Sequence, residues 1–318
     1  MKHIFIVNPA AGKCDRTVQI KTAAREVLGS RGLDWEVQIS KGPGDCRRLA
    51  REAAQTGEEL RLYACGGDGT LNEVVNGAAG YANVAITHYP TGSGNDFVKL
   101  FSHPEAFREL ERLLDSQEAL LDLVECQSGD QICYAANVCS MGLDARIGTA
   151  IGQYRRLPLV SGKGAYYIST VVNLCKGIHK PYVIRLNGQT IEGDQTLLCV
   201  CNGRWYGGSF NPCPEAEPDD GLLEVLLVKP VNLFQVAMVI GEYQKGQYAA
   251  LPELITHFRT EQVTVTCGED SVVNLDGEAL HSREVTFRIS SHKLRFFYPC
   301  GLQYRSKTRK SEEIGAIR

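Results

Sequence analysis

The stretch Tyr63-Ala64-Cys65-Gly66-Gly67-Asp68-Gly69-Thr70-Leu71-Asn72-Glu73 constrains the fold of this chain more than any other. A short apolar run, Leu60 to Cys65, reads as a strand. It turns on three glycines set around Asp68, and Leu71 to Ala79 then reads as a helix. Glycines reach backbone angles that other residues avoid, and they let a ligand approach the main chain. A helix N-terminus adds unpaired N–H groups and positive potential, so a phosphate is the natural guest. Asp68 would repel that guest unless a divalent cation bridges the two or the carboxylate orders the loop through hydrogen bonds. One such turn is common in α/β proteins, and this one is neither a Walker P-loop nor a GxGxxG fingerprint. Two more turns raise its weight. Ile86–Tyr89 reads as a strand running into Pro90-Thr91-Gly92-Ser93-Gly94-Asn95-Asp96-Phe97, and Ile4–Val7 runs into Asn8-Pro9-Ala10-Ala11-Gly12-Lys13. If all three strands share one sheet, their loops converge at its carboxyl edge, where open α/β sheets bind ligands.

The rest of the first part alternates in the same way. A strand at His3–Val7 leads to a helix from about Asp15 to Ser30, with Asp15 as N-cap. Trp35–Ile39 alternates as a strand, Ser40 to Gly44 turns, and Asp45–Gln55 is helical. Helical pattern returns at Pro104–Leu114. Such spacing argues a parallel sheet covered by helices. Near Leu120 the character changes. Strands dominate: Ala119–Glu125, Gln131–Val138, Tyr182–Leu186, Gln195–Cys201, Leu222–Val228, Gln262–Thr266, Val272–Leu275, Val285–Ile289 and Leu294–Tyr298, with helices at Ala165–Lys176 and Asn232–Tyr243. Many alternate as an antiparallel sheet would. The division is therefore 1–120, 121–298 and a tail, 299–318, with the active site in the cleft between the domains.

A length of 318 residues suits two domains, and 43% hydrophobic residues suffice for their cores. A net charge of −3 gives no global field for nucleic acid. One segment departs from this. Arg283, Arg288, Lys293, Arg295, Arg305, Lys307, Arg309 and Lys310 face a single acid, Glu284, and could meet an anionic membrane surface or simply form a solvated tail. The 12 cysteines sit mostly in apolar runs, and Cys199 and Cys201 would share one strand face. With no signal peptide ahead of His3 and no CxxC pair, the expectation is a cytoplasmic chain with reduced, buried thiols. No apolar run reaches the length of a membrane span. Two acidic features remain. Glu215 to Leu222 is a solvated turn or a hard-cation site built from carboxylate and carbonyl oxygens. Asn274-Leu275-Asp276-Gly277-Glu278 is an Asp-Gly hairpin turn or the source of a general base.

These segments, in this order, resemble the diacylglycerol kinase catalytic family, in its bacterial soluble lipid-kinase branch, which is related to sphingosine kinases and NAD kinases. The residues that carry the resemblance are Asn8-Pro9 with Gly12-Lys13, Gly66 to Glu73, Pro90 to Phe97, Asp219-Asp220-Gly221 and Asp276-Gly277-Glu278. The resemblance implies a Rossmann-like N-terminal α/β domain with a parallel sheet, a C-terminal β-sandwich domain, ATP between them, and a last segment that returns to the first domain. It implies that Gly66, Gly67, Asp68, Gly69, Thr70, Leu71 and Asn72 hold the ATP phosphates. Asn8, Ser40 and Thr91 would complete the nucleotide pocket, with Gly12, Lys13, Gly92, Ser93, Asn95 and Asp96 beside them. Ser40 and Ser93 stand where relatives often have Thr, and both keep the hydroxyl. Asp220, with the main-chain oxygens of Glu217 and Leu222, would hold a structural Mg2+. Glu278 or Asp276 would be the base, with Asp68 bridging to a Mg2+ on the phosphates.

The activity implied is an ATP-dependent, Mg2+-dependent transfer to a hydroxyl of diacylglycerol or a related lipid. The protein would dock at the inner face of the cell membrane without a transmembrane segment and without nucleic acid. A homodimer is compatible with this, though no residue argues for one. Two other readings stand beside it: a kinase of a soluble hydroxyl compound, such as NAD kinase, and a non-catalytic nucleotide-binding regulator. Intact Asp68, Asp276 and Glu278 argue against the last.

Overall fold

Residues 1–143, 145–147 and 179–304 are described by a computed structural model. The expected helix at 165–176 and the basic residues from 305 onward lie outside them.

The first sheet has the order β2 (Trp35–Ile39), β1 (Lys2–Val7), β3 (Leu60–Gly66), β4 (Val84–Pro90), β16 (Leu294–Pro299), β5 (Ser116–Leu121). Its parallel strands are β1, β2, β3 and β4. Helices α1 (Thr17–Val27), α2 (Asp45–Ala54) and α3 (Asp68–Ala78) connect them. Asp15 accepts the Thr17 N–H at 2.8 Å, so it caps α1 from one residue further out than a strict N-cap, which is Arg16. The expected helix at Pro104–Leu114 is a 3₁₀ turn, Pro104–Arg108, followed by the short helix α4 (Leu110–Leu114).

Two strands cross the expected domain boundary. The run Ala119–Glu125 divides into β5 (Ser116–Leu121) and β6 (Val124–Ser128), which lie in different sheets. β16 (Leu294–Pro299), expected in the second domain, instead pairs parallel with β4 and antiparallel with β5. The reason is its two apolar faces. Phe296 packs against Phe97 at 4.9 Å between ring centroids. Phe297 meets Tyr63 edge-on at 5.1 Å on the other side, and Tyr63 stacks on Phe5 at 4.2 Å. Phe296 and Phe297 are both fully buried, as a strand inside a helix-covered sheet must be.

The second sheet is antiparallel and sandwich-like, with ten strands. Its elements are β6, β7 (Gln131–Ala135), β8 (Val138–Gly142), β9 (Lys180–Leu186), β10 (Gln189–Gln195), β11 (Leu197–Cys201), β12 (Leu223–Val228), β13 (Ile255–Thr260), β14 (Gln262–Leu275) and β15 (Glu278–Ile289). β14 joins two runs that the sequence pattern separates, because its register slips between Thr266 and Ser271. Helix α5 (Leu233–Gln244) packs on β11 and β12 around Val228, Val236, Val239 and Tyr243. Its capping box is complete: Asn232 accepts the Gln235 N–H, and the Gln235 side chain accepts the Asn232 N–H. Nine of the eleven described cysteines are at least partly buried, only Cys14 and Cys300 being exposed, and none is bridged. Cys199 and Cys201 share a face with their sulfurs 3.4 Å apart.

The basic segment has partners. Arg283 pairs with Asp270, Arg288 with Glu125, Lys293 with the buried Asp122, and Arg295 with Glu59 and Glu118. Their charge is answered locally, so the described part of this segment is no free basic patch.

Candidate active site

Strand register sets the site. Val7 is level with Cys65, and Gly66 with Pro90, so the three glycine turns leave the sheet side by side. β2 lies to one side of β1 and β3 to the other, which makes the β1/β3 edge the point where strand order reverses, a natural ligand crevice.

The turns interlock. A Cβ on Gly92 would overlap the Gly67 backbone, one on Gly12 would overlap the Thr91 carbonyl, and one on Gly66 would overlap Thr70. The Gly66 carbonyl accepts the N–H groups of Thr91 (2.8 Å) and Gly92 (3.1 Å) and lies 3.1 Å from His88 Nε2. Burial lowers the His88 pKa to about 4, so this imidazole is neutral. Asn8 donates to Thr70 Oγ1 at 3.1 Å and accepts the Ala10 N–H at 3.0 Å. Asp68 is the first residue of α3, so the glycines end β3 directly in the helix. Its Oδ2 accepts the Asn95 N–H (2.8 Å) and its Oδ1 the Asp96 N–H (2.5 Å). The carboxylate therefore orders one loop against another, the second of the two roles open to it. Burial raises its pKa against the pull of those N–H groups. Burial and the Asp68 charge raise Asp96, whose oxygens accept from Lys99 (2.5 Å) and from the Gly208 N–H (2.9 Å).

Glu73 has a structural task. Its Oε1 accepts the Gly44 N–H at 2.8 Å and its Oε2 the Cys46 N–H at 3.0 Å, so it caps α2 from the neighbouring helix.

The second domain brings the Asp-Gly turn to the same place. Asp276 and Gly277 have φ of 52° and 102°, the pattern of a two-residue hairpin turn, and they join β14 to β15. The turn is a hairpin and also part of the site, so the two readings of this segment are compatible. Asp276 accepts the N–H groups of Ala136 (2.7 Å), Asn137 (3.1 Å) and Val138 (2.8 Å). Burial pushes its pKa up to about 6 against those donors and the Asn72 amide. Glu278 differs. Among the described residues its carboxylate has no hydrogen-bond partner, and a Cβ on Gly69 would lie 2.9 Å from its Oε1. Burial first, and the Glu73 charge second, raise its pKa.

These groups border one cleft of about 850 Å³ between the sheets. Asn8, Gly12, Gly67, Asp68, Gly69, Thr70, Leu71, Gly92, Ser93, Asp96, Asp276 and Glu278 line it. Ser40, Gly66, Asn72, Thr91 and Asn95 do not line it. Ser40 is buried beside the Cys46 thiol, Asn72 donates to the Tyr134 carbonyl, and Asn95 braces the Gly92 carbonyl at 2.8 Å. Lys13 is exposed and outside the lining. Lining residues that sequence reasoning missed are Gly42, Pro43, the Tyr206–Phe210 loop, and an apolar lobe formed by Leu143, Ile147, Leu197, Val228, Val236, Val239 and Tyr243. The pair Gly207-Gly208 and the charge-free start of α5 are the signals that could have found them.

Glu217, Asp220 and Leu222 do not line the cleft. Asp220 Oδ1 accepts the Leu222 N–H at 2.9 Å, and its Oδ2 pairs with Arg259 at 2.7 Å. Glu217 lies 3.5 Å from Arg204. A divalent ion held by Asp220 and the main-chain oxygens of Glu217 and Leu222 would share this carboxylate with the Arg259 guanidinium. A separate group of metal-competent side chains, Cys213, Glu224 and His257, is already satisfied internally: Glu224 pairs with His257 at 2.6 Å and with Arg259 at 2.9 Å.

Known proteins share this architecture. The family model described as the diacylglycerol kinase catalytic domain matches residues 2–126, and the one described as the YegS C-terminal NAD kinase beta sandwich-like domain matches residues 137–298. The chain belongs to the diacylglycerol kinase catalytic family, YegS-like branch. Similar members include a probable lipid kinase YegS-like of Xanthomonas campestris pv. campestris, 30% identical with 88% of this chain and 92% of that protein covered. The counterpart of Stenotrophomonas maltophilia is 29% identical, covering 87% and 92%. A diacylglycerol kinase structure from Bacillus anthracis superposes with a TM-score of 0.67 over 94% of this chain and 97% of that one, at 21% identity, a likeness of fold. The family's α/β domain followed by an antiparallel sandwich is the architecture seen here.

Asp276→Asn is expected to weaken this family member's fold rather than its proton transfer alone. One oxygen becomes an NH2 facing backbone N–H donors, which costs about 1–3 kcal/mol. Urea unfolding checks it, and an unchanged midpoint would mean the three amides have other partners.

Proposed function

We propose that this chain is an ATP-dependent lipid kinase that transfers the γ-phosphate to a hydroxyl of diacylglycerol or a related lipid. One observation carries the reading: a single cleft has interlocked glycine turns at one end and an apolar lobe at the other. The polar end suits phosphates, and the lobe suits an acyl chain. A soluble acceptor such as NAD gives the apolar walls no purpose.

Phosphoryl transfer needs mainly positioning and charge neutralisation. The backbone N–H groups at the start of α3 would face the phosphates. A divalent ion accompanying ATP, Mg2+ by expectation, would be held by the phosphates and by lone pairs that Asp68 has left after accepting one N–H per oxygen, and would neutralise developing charge. Glu278 is the base: its carboxylate beside Gly69, with no hydrogen-bond partner among the described residues, takes the proton of the acceptor hydroxyl as that oxygen bonds to the γ-phosphorus and the bond from phosphorus to the departing ADP oxygen breaks. Asp276, held by three amides, positions the hairpin.

Labelled ATP with diacylglycerol, monoacylglycerol, sphingosine, phosphatidylglycerol and NAD tests this. Product is expected with a lipid and none with NAD. Transfer to NAD alone would overturn the reading.

A further inference from the structure

We propose that the outer face of helix α5 is the surface by which the protein docks on a lipid bilayer, a reading that rests on the lipid-kinase assignment and says where the lipid enters. From Leu233 to Gly241 this helix has no charged residue, and Gln235 is its one polar side chain. A helix apolar all round belongs in a core or against lipid. α5 has one covered face. Val236, Val239, Ile240 and Tyr243 point into the apolar lobe of the cleft. The other face is open. Phe234 is 93% exposed and Met238 47%, four residues apart on one stripe. Gly241, next on that stripe, would carry a Cβ with nothing within 4 Å. Lys245 continues it, exposed at the helix end, with the half-buried Glu242 on the flank of the stripe.

The occupant follows from what surrounds the stripe. One exposed aromatic is ordinary; an aromatic and a methionine aligned on the back of a cleft wall are not. Lys245 at one end and Lys229 before the other are exposed and have no ion pair among the described residues, unlike the basic residues from Arg283 to Arg295. Apolar side chains between lysines suit a helix lying in the interface of an anionic membrane, with the lysines at headgroup level. Such a helix would bring the apolar lobe on its inner face to the source of acyl chains. A second copy of this chain is the rival occupant, and the experiment separates the two.

Phe234→Ser/Met238→Ser changes no residue of the polar end. Wild type and variant are sedimented with phosphatidylglycerol-containing vesicles in the absence of ATP, and both are assayed on lipid dispersed in detergent and on lipid within vesicles. The expected result is at least tenfold weaker vesicle binding and a matching loss of activity on vesicles. Activity in detergent and the melting temperature should stay within about twofold and a few degrees of wild type. Equal vesicle binding by the two proteins would overturn the docking surface. So would a wild-type dimer that the substitutions convert to monomer with vesicle binding unchanged. Failure of wild type to phosphorylate any lipid even in detergent, with vesicle binding still dependent on Phe234 and Met238, would instead reject the kinase assignment and leave the docking surface standing.

Discussion

Glu278→Gln is expected to lower turnover by at least about a hundredfold while ATP affinity stays nearly unchanged. A general base typically contributes about 10²–10⁴-fold, and only in the transition state, so its loss appears in turnover rather than in nucleotide binding. The geometry singles out Glu278. Its Oε1 lies against Gly69 in the glycine turn, and its carboxylate accepts no hydrogen bond among the described residues. Asp276 on the same hairpin has its oxygens committed to three backbone amides. The pH profile gives a second readout. Burial and the Glu73 charge raise the Glu278 pKa, and a base acts only when ionised. Turnover should therefore fall as pH drops through that raised value, above the ordinary glutamate pKa of about 4.3. The Gln variant should lose this acid limb along with its rate. Steady-state turnover from pH 4 to 8, beside calorimetric ATP binding, decides it. Since Asp276 and Glu278 serve one constellation, the double variant should be little worse than Glu278→Gln alone. Full activity of Glu278→Gln would move the base elsewhere in the cleft.

The polar end of this cleft was legible because local rules determine it. A strand, a glycine turn and a helix start recur three times, and parallel register then places Val7, Cys65 and Pro90 at one edge. What stayed hidden depends on partners distant in sequence. Phe296 and Phe297 read as one more strand of the second half, and only packing against Phe97 and Tyr63 shows that β16 closes the first sheet. β13 went unread because Ile255–Thr260 mixes apolar and polar residues without a clean period, its place being set by pairing with β12. Nothing local to Asp220 foretells Arg259, 39 residues away, which pairs with its Oδ2. Glu73 sits within the glycine-turn motif yet caps a helix whose N-terminus arrives from 29 residues earlier. The apolar lobe was least visible. Leu197, Val228 and Val236 each read as ordinary core, and nothing local marks a core residue that borders a cavity.

Asp68→Ala should be at least as damaging as the loss of the base, by a different route. The carboxylate spans two glycine turns, holding the N–H groups of Asn95 and Asp96 from the first turn of α3. Hydrogen bonds to a charged group are each worth about 1.5–3 kcal/mol, so losing both releases the Gly92–Asp96 loop from its partner. The chain should still fold, since the sheet beneath keeps the apolar packing of Phe5, Tyr63 and Phe297. The nucleotide cradle should not survive. ATP affinity is expected to fall at least about tenfold, equivalent to about 1.4 kcal/mol, and phosphoryl transfer to become undetectable. Affinity for a non-hydrolysable ATP analogue, measured with and without Mg2+, separates the two roles open to this residue. A carboxylate that orders the loop weakens binding in both conditions when removed. One that only bridges to the ion weakens binding when Mg2+ is present and leaves the metal-free affinity alone. The two N–H contacts lead us to expect a loss in both. A folded variant with wild-type affinity and turnover would mean that neither the loop nor the ion needs this carboxylate.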